Sequence, residues 1–244
     1  MVHKHKIEIL EWKPLYGEIL DLEEKGLVTR TFRRLDSPRQ QAVLEAILAE
    51  AVERGPEQVN IKHIAERAGV SVGSLYQYFE NREKLLEFTI ELVGRYMCET
   101  IGKNRDKILQ LSFREGLAAY VSAILTWGES RITLIRFLNR SENQDRGKYF
   151  KEIKLSIDLQ LKEVLRDLLK KAQEEGTIRK DINLETLVDL MFILNMVHLE
   201  TSLFPEQDEY CLLVNRKKPH MEEIFNDLME MLMKGIAPIQ ARKK

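Results

Sequence analysis

Ser71, Gly73, Ser74, Tyr76, Gln77 and Tyr78 crowd donors, acceptors and one bare backbone position into two helical turns. Gln77 can pair bidentately with an adenine edge. The hydroxyls of Ser71, Ser74, Tyr76 and Tyr78 can donate hydrogen bonds to phosphate oxygens. Gly73, beside Val72, lets the backbone approach another surface closely. Arg82 and Lys84 follow in the first turn of a further helix, where cations oppose the helix dipole. A phosphate near that helix end would account for them. This is the chemistry of docking onto nucleic acid.

Such side chains need a pair of helices to present them. Asn60 is a good N-cap. Ile61, Ile64, Ala65 and Ala68 then fall at i, i+3, i+4 and i+7, one apolar face. Gly69 can enter the left-handed conformation and end that helix. Val70 can plug the corner, and Ser71 caps a second helix from Val72 to about Tyr78. On a wheel, Leu75 and Phe79 point inward. Gly73 and Gln77 point outward, flanked by Ser74 and Tyr76. An ordinary surface helix would carry Lys and Glu there. Asn81 caps the helix that follows. Two short helices on a glycine turn, the second with small hydrogen-bonding side chains outside, match the build of a major-groove reader.

The run from Ile64 to Phe79, with Asn81-Arg82-Glu83-Lys84-Leu85-Leu86, resembles the TetR family of one-component transcriptional repressors. The similar stretch extends from about Ser37 to Leu86, about a fifth of the chain. The resemblance implies an all-α homodimer with an N-terminal DNA-binding domain and a larger C-terminal domain for ligand binding and dimerisation. It also implies phosphate contacts at Tyr76 and Tyr78, and small residues opening the recognition helix at Ser71, Val72, Gly73 and Ser74. Lys62 matches a frequent DNA-contact position. Arg82 stands where the family usually has lysine; the charge is kept, with a different phosphate geometry. Gln77 falls where the family varies.

Composition agrees with a helical protein that reads DNA locally. The chain has 244 residues, 44% of them hydrophobic, with only 12 glycines and 6 prolines. Net charge is −1, so affinity for DNA must come from local charge. Upstream of the motif, Lys25, Arg30, Arg33, Arg34 and Arg39 are opposed only by Asp36. Cys98 and Cys211 stand far apart without a ligand pattern and read as reduced thiols of a cytoplasmic protein. No signal-peptide pattern and no membrane-length apolar run is present. His3 and His5 lack metal-spaced partners, so neither metal nor cofactor is expected. There is no phosphate loop, nucleophile elbow or Ser/His/Asp grouping, and no enzyme is expected.

Three regions are expected: an extension over 1–36, a helix-turn-helix domain over 37–84, and an effector and dimerisation domain over 85–244. In the extension, Leu15, Ile19, Leu20 and Leu22 suggest a short helix after Pro14 that stops near Gly26. It either packs on its own chain, or Arg30, Arg33 and Arg34 form an arm along the DNA backbone or minor groove. Helices are expected at about Pro38–Arg54, from Arg82 to about Gly102, over Asp106–Trp127, over Gly128–Leu138 and from Lys148 to Glu175. Asn139–Gly147 reads as a loop. Leu184–Leu203 is apolar on nearly every side, and the helix ending at Ile236 carries spare methionines. Helices near 184–203 and 219–236 are therefore expected to pair with a second copy. Tyr120, Trp127, Phe137, Tyr149, Phe192 and His198 could line an effector pocket or serve as ordinary core residues. The expected function is a ligand-responsive regulator, a repressor, that binds a palindromic operator as a homodimer and is released by a small molecule. The alternative is a protein of the same fold that works through a protein partner.

Overall fold

A computed structural model describes residues 16–125, 133–134, 136–137, 148–203, 227, 230–231 and 233–236. Among these there are helices and no strands. The chain divides into two compact units. Of the described residues, the first unit takes 16–100, 133–134, 136–137 and 148–158, and the second takes the rest.

The first unit begins with α1 (Tyr16–Glu24) and α2 (Arg30–Arg33). Ile19 and Leu22 are fully buried, and Gly26, at φ +68°, turns the chain after α1. Pro14 and Leu15 lie outside the described residues. Asp36 caps α3 (Ser37–Arg54) by accepting the Arg39 N–H at 2.9 Å. The α3 stripe of Val43, Leu44, Ile47, Leu48 and Ala51 is buried. A single 3-10 turn at Pro56–Gln58 leads to α4 (Ile61–Ala68) and α5 (Val72–Tyr78). The unit also holds the first part of α6 (Arg82–Gln110), whose Leu85, Leu86, Phe88 and Val93 are buried. Gly94 makes room for α8 (Lys148–Glu174): a Cβ there would stand 2.4 Å from Ile153 Cγ2.

The helix from Arg82 was expected to stop near Gly102, but it continues to Gln110. One exposed glycine costs a helix only about 1 kcal/mol, which neighbouring turns offset. The break falls at Leu111 and Ser112 instead. Glu115 reaches back to Ser112 there, its Oε2 accepting the Ser112 N–H at 3.3 Å and the Ser112 hydroxyl at 2.6 Å. The next helix, α7, is therefore Phe113–Leu125, shorter at its start than the expected Asp106–Trp127. Trp127 lies outside the described residues.

In the second unit, Lys171 Nζ donates to the carbonyls of Leu109 (2.6 Å) and Leu111 (3.3 Å), a cation placed on the last carbonyls of α6. Gly116 of α7 admits Leu168 of α8; a Cβ there would stand 2.8 Å from Leu168 Cδ1. After α8, Gly176 turns the chain at φ +72°. Asn183 then opens α9 (Leu184–Leu203), accepting the Thr186 N–H at 3.0 Å. Leu187, Val188, Met191 and Phe192 of α9 are buried, while Leu190, Ile193 and Val197 are 54%, 56% and 53% exposed. Of the expected 219–236 helix, residues 227, 230–231 and 233–236 are helical and the others lie outside the described residues. Of the expected Gly128–Leu138 helix, residues 133–134 and 136–137 are helical and the others lie outside, as do the expected loop and Cys211. No helix among the described residues is long and apolar enough to cross a membrane.

Candidate nucleic-acid interface

The two helices of the motif are set by local chemistry at each end. Asn60 Oδ1 accepts the Lys62 N–H at 2.9 Å and starts α4. Gly69 closes it at φ +66°, with Val70 N–H donating back to Ala65 O at 3.0 Å, a Schellman-type end. Ser71 Oγ accepts the Ser74 N–H at 2.9 Å and starts α5. Asn81 Oδ1 does the same for the Lys84 N–H at 2.8 Å, at the head of α6.

The outward side of α5 is open. Ser71, Val72, Gly73, Tyr76 and Gln77 are exposed, and Tyr76 shows half its surface. A Cβ on Gly73 would meet only Ser71 Oγ, at 3.7 Å. No neighbour among the described residues therefore requires glycine there. Ser74 is half-buried, and its hydroxyl lies 2.8 Å from that of Ser71. Lys62 is exposed and Arg82 half-buried, and neither has an ion pair among the described residues. Lys84 is half-buried, with Nζ 3.4 Å from Glu87 Oε2.

Tyr78 is placed differently from the other expected phosphate donors. Its ring is buried, 5.7 Å from Phe32 and 6.4 Å from Phe79 between centroids. The expected arm is also divided. Arg30 and Arg34 are exposed without an ion pair among the described residues, whereas Arg33 turns to an ion pair with Glu23. These arginines flank or belong to a helical turn, α2, whose Phe32 is fully buried.

Glu50, a residue that reading the motif alone passes over, organises the unit. Its carboxylate is wholly buried in α3. Oε1 accepts the Asn60 N–H at 3.2 Å and lies 3.0 Å from Arg54 Nε and 3.2 Å from His63 Nδ1. Arg67 Nε lies 3.8 Å from Oε2. One acid thus holds the cap and two side chains of α4 against α3. The available signal was a carboxylate on the apolar stripe, three residues after Ile47 and beside Ala51.

On the other side, α1 is tied to α6. Arg95 pairs with Asp21 and, at 2.9 Å, with Glu91; Lys25 Nζ lies 3.3 Å from Glu91. The Arg95 hydrogen bond holds the half-exposed Asp21 carboxyl below its ordinary range, against the opposing effect of burial. A depressed carboxylate pKa stabilises docking above its unfolded value, about 3.9, and that contribution is lost as pH falls through the folded value. The protection of the amides of residues 18–24, taken relative to the intrinsic exchange rate at each pH, is therefore expected to fall as pH drops below about 4. Asp21→Asn should shrink that acid response.

The expected pocket residues fall as follows. Tyr120 and Phe192 are buried in the second unit, with Lys162 Nζ 5.0 Å from the Phe192 ring centre. Phe137 is buried in the first unit. Trp127 and the side chains of Tyr149 and His198 lie outside the described residues. Asn195, 5% exposed on α9, has an Nδ2 with no hydrogen-bond partner among the described residues. Burial pushes the Cys98 thiol up, which keeps it protonated and unreactive near neutral pH.

Residues 43–88 match the family model of bacterial regulatory proteins of the tetR family, and residues 114–217 match that of the SbtR-like transcriptional regulator C-terminal domain. The chain belongs to the TetR family. It is similar to the HTH-type transcriptional regulator BetI of Yersinia pestis, at 38% identity over 63 residues, which is 26% of this chain and 32% of that regulator. The chain thus spans about a third of the length of the curated relatives it matches. Among solved structures, a TetR-family transcriptional regulator from Mesorhizobium loti aligns over 86% of this chain and 100% of its own, with TM-score 0.60 and 16% identity. The regulator FadR from Bacillus subtilis, in complex with stearoyl-CoA, aligns over 81% and 99%, with TM-score 0.55 and 21% identity. At those identities the structures speak for the shared all-α TetR fold.

Proposed function

We propose that this TetR-family regulator is a repressor that binds a palindromic operator as a homodimer and leaves it when a small molecule binds. The domain roles follow the expected division: 37–84 reads DNA, and 85–244 binds the effector and the second copy. One observation carries the DNA part. The open face of α5 holds a glycine that no contact among the described residues requires, beside Tyr76 and Gln77. A phosphate backbone against Gly73, with Tyr76 donating to phosphate and Gln77 at a base edge, makes use of all three. Arg82, Lys84, Lys62, Arg30 and Arg34 supply the local charge that a net charge of −1 does not.

For the effector, the support is coarser. FadR of Bacillus subtilis, a protein of the same fold, was solved with stearoyl-CoA. In this chain the buried Asn195 Nδ2 lacks an acceptor among the described residues, and an effector oxygen would supply one. The effector shifts the population toward an arrangement of α6 with lower operator affinity.

The test is a mobility-shift titration on the chain's own upstream DNA across a range of salt. Each phosphate contact adds roughly −0.9 to the slope of log affinity against log salt. Gly73→Ala separates fold from function. Alanine should leave stability unchanged or raise it by up to about 1 kcal/mol. Its methyl should meet the backbone of DNA and weaken binding roughly tenfold. Absence of specific binding by the native chain would favour action through a protein partner.

A further inference from the structure

The last carbonyls of a helix need partners from outside it. The chain leaves α5 through Phe79 in an extended conformation, at φ −135° and ψ 102°, so no left-handed glycine closes it. Thr29 supplies the partners from 48 residues upstream. Its Oγ1 donates to Gln77 O at 2.6 Å, and its N–H donates to Tyr78 O at 2.9 Å. Three residues on, Phe32 inserts among Tyr78, Phe79 and Phe88, with ring centres at 5.7, 5.2 and 5.4 Å. Gln40 Nε2 of α3 donates to the Phe32 and Arg33 carbonyls at 3.1 and 3.2 Å, fastening α2 from the other side. Asp21 and Lys25 tie α1 to Arg95 and Glu91 of α6. Asp21, Lys25, Thr29, Phe32 and Gln40 all precede residue 43, where the tetR-family model begins to match.

We propose that residues 16–35 form a strap that orients the recognition helix, with Thr29 as its positioning residue. Gln77, the side chain offered to a base edge, is held from behind by the Thr29 hydroxyl on its own carbonyl. A reading side chain is precise only when its backbone is fixed by packing and hydrogen bonds. The consequence for affinity rests on the operator-binding function proposed above; the fixing of α5 does not.

Thr29→Val keeps the branched shape and removes the hydroxyl, and Thr29→Ser restores it. Hydrogen exchange tests the strap without DNA. Loss of one hydrogen bond should speed exchange of the Tyr76 to Phe79 amides roughly fivefold in the valine variant, with the α4 amides unchanged and serine restoring protection. Operator titration of the same proteins should show roughly fivefold weaker binding for valine, an unchanged salt slope and recovery with serine. Native exchange in the valine variant overturns the proposal. So does faster exchange with native affinity, since the helix end would then not govern reading. Weaker binding with native exchange would place the hydroxyl on DNA directly and equally overturns it. Faster exchange in a chain that binds no operator in any form leaves the strap standing and removes the operator-binding function.

Discussion

Replacing Leu190, Ile193 and Val197 together with glutamate is expected to turn the protein into a folded monomer that binds its operator at least roughly 100-fold more weakly, because the second recognition helix no longer contributes. The three residues lie at i, i+3 and i+7, one stripe of α9. Each is more than half exposed, while the opposite side of the helix is buried through Leu187, Val188, Met191, Phe192 and Asn195. Fully burying one such side chain contributes about 1.5–3 kcal/mol. With half of each surface open, and the stripe repeated on a second copy, association gains several kcal/mol. The stripe makes few contacts inside its own unit, so helicity and the buried face should survive the change. Sedimentation should report a single chain, and the salt slope should fall by about half, one recognition helix meeting half the phosphates. A triple variant that stays dimeric with native operator affinity would remove α9 from the dimer interface.

What could be read from the sequence was local. Asn60, Gly69, Ser71 and Asn81 each act on backbone atoms within a few residues, so α4, α5 and the head of α6 appear where their spacing predicts. Gly102 misled for a related reason: a glycine is a stop only where the chain also turns, and here no cap follows it until Ser112. Tyr78 shows chemistry and geometry in competition. Its hydroxyl suggests a phosphate donor, yet Leu75, Tyr78 and Phe79 share one helix face at i, i+3 and i+4, and the ring is buried there. The Thr29 contacts belong to another class. Nothing near residue 29 announces that its hydroxyl closes a helix 48 positions away. Arg33 likewise reads as one of a basic trio until the fold brings Glu23 to it.

Glu50→Ala is the single substitution expected to cost the DNA-binding unit most, about 3 kcal/mol. The carboxylate is fully buried, so alanine leaves a void along with orphaned donors. The Asn60 N–H loses its acceptor at the position where α4 begins. Arg54, His63 and Arg67 lose the acid between them, yet each keeps about a third to a half of its side-chain surface in water. That partial hydration puts the loss at the lower end of the range for breaking a buried pair. Glu50→Gln fills the same volume and can still accept the Asn60 N–H, so it should cost about half as much. Denaturant unfolding of the two variants measures the difference. Because α4 is the helix that sets the pose of α5 across Gly69, operator affinity should fall in the same order, with alanine below glutamine and both below the native chain. Equal stability of the alanine variant and the native protein would mean that α3 and α4 are held by their apolar stripe alone, with the buried acid idle.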